Sequence, residues 1–348
     1  MPPRTVVVCE AQVPFVRGGA EHHVRELVRQ LQLAGFATEL VSVPFKWYPK
    51  AEIAAHAAAW RLLDLSESNG RSIDLVIATK FPTYFVRHPH KVVWLIHQYR
   101  AAYELAGTPY SDFAHAEEDV ALRADLVALD TAMLGECLRR FANSANTARR
   151  VARYNGLEVG ALYHPPRLAG ALTSGPAGSY LLSVGRLETV KRVDLAIRGL
   201  ACAPPDLSLR IAGTGTQRPA LERLAAEAGV ADRVHFLGDV SDDELVSLYA
   251  GALGVIFPPY DEDYGYVTIE AFLAHKPVVT AADSGGPLEF VRHGETGLVV
   301  EPAPEAAGDA FAQLDGDRRR AAAMGDAGYE RARGITWAGV IDALTGAG

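Results

Sequence analysis

Gly254-Val255-Ile256-Phe257-Pro258-Pro259-Tyr260-Asp261-Glu262-Asp263-Tyr264-Gly265-Tyr266-Val267-Thr268-Ile269-Glu270-Ala271 is the stretch whose reading decides the fold. Gly254–Phe257 is a short apolar run closed by two prolines, which reads as a buried strand. A polar loop follows, and beyond Gly265 a helix begins. Strand, loop and helix in that order form half of a parallel βαβ unit, and the same order recurs on both sides. Tyr180–Val184 is a strand before a helix over Val190–Ala201, and Ser208–Ala212 a strand before a helix over Gln217–Ala228. Val234–Leu237, Pro277–Thr280 and Gly297–Val300 are further strands, with helices over Ser241–Ala250 and Gly286–His293.

The first half repeats the pattern. Val6–Cys9 reads as a strand and Gly18–Leu33 as a helix with Val24, Leu27, Val28 and Leu31 on one face. Ala37–Val43, Leu75–Ala78, Val92–Ile96 and Leu126–Leu129 read as strands, and Ala116–Ala124, Thr131–Arg140 and Asn146–Arg153 as helices. Between the halves lies Pro165–Gly178, rich in turn formers and without periodicity. The expected division is therefore residues 1–172 and 173–334, each a doubly wound α/β domain, with a terminal helix in 335–348 carrying Trp337, Val340, Ile341 and Leu344 at helical spacing. Open sheets of this kind bind ligands beyond the carboxyl ends of their strands, so a central cleft between two such edges is the expected ligand site.

Composition narrows the classes. A chain of 348 residues with 49% apolar and 22% charged residues fills two cores. No uninterrupted apolar window is long enough for a membrane span, and Val6–Cys9 is too short for a signal-peptide core. Cys9, Cys137 and Cys202 lie far apart without metal-site spacing, which suggests a reducing cytoplasm and neither disulfides nor a metal. The net charge of −8 is uneven: residues 1–175 carry +2 and the rest −10. Such an acidic second half argues against nucleic acid as a partner. The first half, with the basic and aromatic Phe45-Lys46-Trp47-Tyr48-Pro49-Lys50, reads either as an ordinary solvated surface or as a peripheral contact with the inner face of a membrane.

The chemistry gathers at loops. Gly18-Gly19-Ala20-Glu21 opens a helix, where backbone N–H groups and the helix dipole favour an anion; read alone it is equally a plain turn. Gly185-Arg186-Leu187-Glu188-Thr189-Val190-Lys191 puts two cations after a strand, suited to a diphosphate. Gly213-Thr214-Gly215 and Asp283-Ser284-Gly285-Gly286-Pro287 are further glycine-rich turns at strand ends. Glu262 and Glu270 are acceptor-only carboxylates that can hold hydroxyls, with surface charge and a cap contact as the bland alternatives. His97 ends a strand of the first half and suits either a ligand contact or a structural hydrogen bond. Asp261-Glu262-Asp263 imitates a metal-binding D-x-D, but its place inside the Glu262–Glu270 block argues against a metal-dependent transferase.

Taken in order, Gly18-Gly19-Ala20-Glu21, Gly185-Arg186 with Lys191, Gly213-Thr214-Gly215, Glu262-x7-Glu270 and Gly285-Gly286-Pro287-Leu288-Glu289 resemble the retaining GT-B glycosyltransferases called family 4. Asn143–Arg150 resembles that family's segment near the end of the first domain. The resemblance implies two Rossmann-like domains and a metal-independent, cofactor-free hexosyl transfer. The donor is a nucleotide diphosphate sugar, UDP- or GDP-linked, held mainly by the second domain. The acceptor is a sugar, a lipid-linked glycan or a small molecule in surface polysaccharide or glycoconjugate synthesis. It further implies that Arg186 and Lys191 hold the diphosphate, Glu262 the donor sugar and Glu270 the ribose, with Gly19 approaching from the first domain. Leu95-Ile96-His97-Gln98-Tyr99 departs from the family by lacking the acidic residue that often follows this histidine. An epimerase or phosphorylase on the same architecture, or a non-catalytic nucleotide-sugar binder, are the alternatives, since fold alone does not decide function.

Overall fold

The computed structural model describes residues 4–15 and 18–346. The chain divides into two compact units, one made of Met1–His164 with Thr336–Gly348, the other of Pro165–Ile335. The division falls directly after His164, so Pro165–Leu172 belongs with the second unit.

The first unit runs β1 (Thr5–Gln12), α1 (Gly19–Leu33), β2 (Ala37–Pro44), α2 (Ala51–Leu62), a small hairpin of β3 (Glu67–Ser68) and β4 (Arg71–Ser72), β5 (Leu75–Ala78), β6 (Lys91–Leu95), α3 (Glu117–Gly135), β7 (Arg139–Ala142), α4 (Ala145–Asn155) and β8 (Gly160–Ala161). Its main sheet has the order β2-β1-β5-β6-β7-β8 and is parallel throughout. Strands buried on both faces read as continuous apolar runs, as Val6–Cys9 and Leu75–Ala78 do. One face packs Val7, Cys9, Val76 and Val93 against Ile53 and Trp60 of α2; the other packs Val6, Val8, Ile77 and Trp94 against Val24, Leu27 and Leu31 of α1.

The second unit runs β9 (Tyr180–Val184), α5 (Val193–Ala201), β10 (Ser208–Ala212), α6 (Arg218–Glu227), β11 (Val234–Gly238), α7 (Asp242–Gly251), β12 (Gly254–Ile256), α8 (Tyr266–Leu273), β13 (Val278–Ala281), β14 (Gly297–Val300), α9 (Pro304–Gly316) and α10 (Arg318–Ala332). Its order β11-β10-β9-β12-β13-β14, again all parallel, is the doubly wound order in which the chain reverses direction between two central strands, here β9 and β12. In the first unit the same reversal lies between β1 and β5. The last helix, α11 (Trp337–Thr345), buries Val340, Ile341 and Leu344 beside Leu27 and Leu31 of the first unit, and Arg139 donates to the Ala343 and Leu344 carbonyls at 3.0 and 2.8 Å.

Local expectations fail in identifiable places. Leu126–Leu129 is not a strand but the middle of α3, and the helix expected over Thr131–Arg140 ends at Gly135 and gives way to β7. A four-residue apolar run fits a helix face as well as a strand. The strand that does form there, Arg139-Arg140-Phe141-Ala142, looks polar because Arg139 spends its charge capping α11. The helix expected over Gly286–His293 is a single 3-10 turn, Gly286–Glu289, and α2 carries no apolar periodicity strong enough to announce it.

Candidate functional site

In the second unit the loops that follow β9 and β12 stand side by side at the reversal of strand order. Arg186 follows β9 and is exposed. Lys191 closes a 3-10 turn, Thr189–Lys191, and its Nζ lies 2.6 Å from Glu262 Oε2, both side chains being largely buried. The Glu262 backbone is fixed as well: its N–H donates to Ser284 O at 2.9 Å and its carbonyl accepts from Gly286 N–H at 2.8 Å. Tyr260 N–H donates to Val190 O at 2.8 Å, joining the two loops through their main chains. A cation and a carboxylate that neutralise each other at a strand-end crevice form a site an anion can enter by taking the ammonium, leaving the carboxylate for hydroxyls.

Glycine sets this geometry by permitting close approach. A methyl group on Gly213 would stand 2.0 Å from Gly185 O, and one on Gly215 2.4 Å from Leu187 O. These two glycines therefore seat the Gly185–Leu187 loop, which is further held by Leu187 N–H to Thr214 O at 2.8 Å. Gly286 likewise lies under Asp263 O and Tyr264 O, and Gly285 bridges to Glu262, so both press on the Glu262 loop; Pro287 is buried against Gly265, the left-handed residue that starts α8. Glu270, half-buried within α8, accepts the Tyr249 hydroxyl at 2.8 Å. Burial pushes its carboxyl up, opposed by the Tyr249 hydrogen bond and by Arg167, which is paired with Asp242. Glu262 and Glu270 thus have different partners, a lysine for one and a tyrosine for the other.

The first unit brings the Gly18–Glu21 turn together with Lys80, which the sequence did not single out. Gly18 N–H donates to Glu21 Oε2 at 2.9 Å, the return half of a capping box. Glu21 Oε1 lies 2.9 Å from Lys80 Nζ, with both side chains buried. Burial alone would raise the Glu21 carboxyl, but Lys80 and the Gly18 N–H outweigh it and hold it below the usual carboxylate range. The Gly18 N–H, one of the amides at this helix start, is therefore bonded to a protein carboxylate. His97 follows β6, half-buried, its Nδ1 2.7 Å from Gln98 O. Behind it Gln98 donates to Asn155 at 2.5 Å, and Tyr103 donates to the buried Asp130 at 2.6 Å. Burial pushes the Asp130 carboxyl up to about 7, its tyrosine hydrogen bonds only partly opposing the shift.

Arg192, beside Lys191, also went unremarked in the sequence, where nothing separates it from an ordinary helix-start cation. Its guanidinium donates to Pro258 O at 2.7 Å, to Pro259 O at 2.8 Å and in bidentate fashion to Asp283 at 2.9 and 2.5 Å.

Comparison with solved structures identifies this architecture as that of the GT-B glycosyltransferases. Sucrose-phosphate synthase from Thermosynechococcus elongatus superposes with a TM-score of 0.71 at 19% identity over 97% of this chain and 96% of that one. Anabaena HepE, solved with UDP and glucose, gives 0.72 at 16% identity over 99% of both. More narrowly, residues 173–331, which lie within the second unit, match the family Glycosyl transferases group 1. Among curated relatives, D-inositol 3-phosphate glycosyltransferase of Nocardia farcinica is 35% identical over 237 residues, 61% of this chain and 52% of the relative. The Mycolicibacterium smegmatis protein of that name is 32% identical over 240 residues, 66% and 54% of the two chains. The chain spans about half the length of these relatives.

Proposed function

We propose that the chain is a retaining, metal-independent glycosyltransferase that moves a hexose-type sugar from a UDP- or GDP-linked donor to a glycan, lipid-linked or small-molecule acceptor. The observation that carries this reading is the Lys191–Glu262 pair at 2.6 Å at the β9/β12 reversal, with Arg186 exposed on the same loop after β9. Arg186 and Lys191 take the diphosphate, Glu262 the donor-sugar hydroxyls it is freed to accept, and Glu270 the ribose. As the glycosidic bond breaks, negative charge gathers on the leaving phosphate, where fixed cations act without reorganising. The acceptor hydroxyl attacks the same face and gives its proton to that phosphate, so no separate base is required. Gly19 and His97 supply the acceptor-side contacts. A neighbour solved with UDP and glucose, and relatives named for transfer to an inositol phosphate, support the donor and reaction class. Exposed Trp47 and Tyr48 with Lys46 over the Tyr48 ring support peripheral membrane contact by the first unit.

The test is thermal stabilisation by UDP-, GDP-, ADP- and dTDP-sugars, followed by product analysis with candidate acceptors in the presence of EDTA. A stabilising donor, and a product that keeps the donor's anomeric configuration in EDTA, are expected. Isomerised donor without transfer would favour the epimerase, and binding without turnover the non-catalytic reading.

A further inference from the structure

The geometry points to Arg192 as a positioning residue: it clasps the loops after β9, β12 and β13 into one frame and so fixes Glu262 against Lys191. This rests on the reading of Lys191 and Glu262 as donor contacts. Arg192 joins the 3-10 turn that ends in Lys191 to the first turn of α5, with φ +50°, in the left-handed region that favours glycine. A large side chain is out of place there unless it does something glycine cannot. Its fork does so. Nε and Nη2 take the carbonyls of Pro258 and Pro259, residues that as prolines start the Glu262 loop without N–H groups of their own to anchor it. Nη1 and Nη2 take both oxygens of Asp283, whose carbonyl in turn accepts Asp261 N–H at 2.9 Å. The guanidinium is nearly buried and also lies 5.7 Å from the centre of the Tyr260 ring. A planar five-donor fork makes all four bonds at once, which a lysine ammonium does not.

The clasp grips the stem of the loop and touches neither Lys191 Nζ nor the Glu262 carboxylate. Its loss should leave the ion-pairing groups intact but let the Glu262 loop drift from them, and a displacement near 1 Å at a reacting centre costs up to about 10²-fold in rate. Nucleotide affinity should change little, because Arg186 and Glu270 lie outside the clasp and Lys191 keeps its ammonium on its own 3-10 turn.

Arg192→Gly is the decisive variant, because glycine relaxes the left-handed backbone while removing the fork; Arg192→Lys keeps the charge without the fork. Four quantities are measured: melting temperature, affinity for UDP and GDP, amide hydrogen exchange, and transfer from the sugar nucleotide that the wild type uses. In Arg192→Gly the melting temperature and nucleotide affinity should stay near wild type. Exchange at the Tyr260, Asp261 and Glu262 amides should rise at least ~10-fold, and transfer should fall at least ~10-fold, with Arg192→Lys also slow. Unchanged exchange at these amides overturns the clasp. Fast exchange with wild-type transfer overturns its role in positioning, as does a parallel collapse of melting temperature and nucleotide binding, which would make Arg192 purely structural. If the wild type transfers no sugar at all, the glycosyltransferase reading fails, while the exchange data still decide whether the clasp exists.

Discussion

Gly213→Ala should damage the second unit more than any other single methyl group in a glycine-rich turn of the site. Two effects add. Gly213 has φ +139°, a conformation nearly closed to side chains, and forcing it costs about 1–3 kcal/mol. The new Cβ would also stand 2.0 Å from the Gly185 carbonyl oxygen, so the two segments must part by about 1 Å to reach even a tight contact. Overpacking of that kind adds about 1–3 kcal/mol. The parting strains Gly185 N–H to Ala212 O at 3.0 Å and Gly213 N–H to Gly238 O at 2.7 Å, and it moves Arg186. A sum near 4 kcal/mol lowers the melting temperature of a unit of about 170 residues by roughly 8–16 °C. Gly185→Ala is the internal control, since φ is +134° there but no atom lies within 4 Å of the new methyl, leaving only the conformational cost. Scanning calorimetry on both variants, with sugar-nucleotide turnover measured well below the transition, reads the two effects apart. Equal melting shifts in the two variants would refute the claim that close approach to Gly185 is what position 213 requires.

Other perturbations follow from the same geometry. Arg186→Ala and Lys191→Ala should each reduce turnover by about 10² or more, and near-normal steady-state rates in both folded variants would remove them from the diphosphate site. Asp130 has its folded-state carboxyl raised to about 7, so its stabilising proton is fully held below the ordinary aspartate value of 3.8 and is lost as pH rises through about 7. The wild type should lose roughly 1.4 kcal/mol of stability per pH unit from this group between those values. Asp130→Asn should flatten that slope in denaturant titrations across pH, and an unchanged slope would show that Asp130 ionises normally. Removing residues 336–348 takes Val340, Ile341 and Leu344 out of the first unit's core. At about 1.5–3 kcal/mol each, that should destabilise the first unit by several kcal/mol. Nucleotide affinity should stay within a few-fold, and calorimetry beside titration would expose a loss of both.

Alternation of short β-branched runs with longer helical segments, and glycines or prolines between them, determined the doubly wound α/β class on their own, because a parallel strand must return through a crossover. The same pattern placed Glu262 and Gly285 on loops after strands, since a strand that ends in a polar, glycine-rich turn puts that turn at the carboxyl edge. It put Lys191 in the first turn of a helix, where the structure has a 3-10 turn ahead of α5. Partnership across the site was beyond it. Lys191 and Glu262 are 71 residues apart and meet only because β9 and β12 are neighbours, and strand order is a property of the assembled sheet, not of any local window. Arg192 and Lys191 are adjacent cations in the sequence. Only the left-handed backbone at Arg192 sends Lys191 to the Glu262 carboxylate and Arg192 to two proline carbonyls and Asp283. Gly213 and Gly215 read as a turn lining the cleft; that they also seat the Gly185–Leu187 loop is visible only once another backbone is found against them. Leu126–Leu129 shows the converse limit. Its apolar residues satisfy a strand or a helix equally, and they lie within the 19-residue helix α3. Residue identity set which groups could act; chain packing chose which of them face one another.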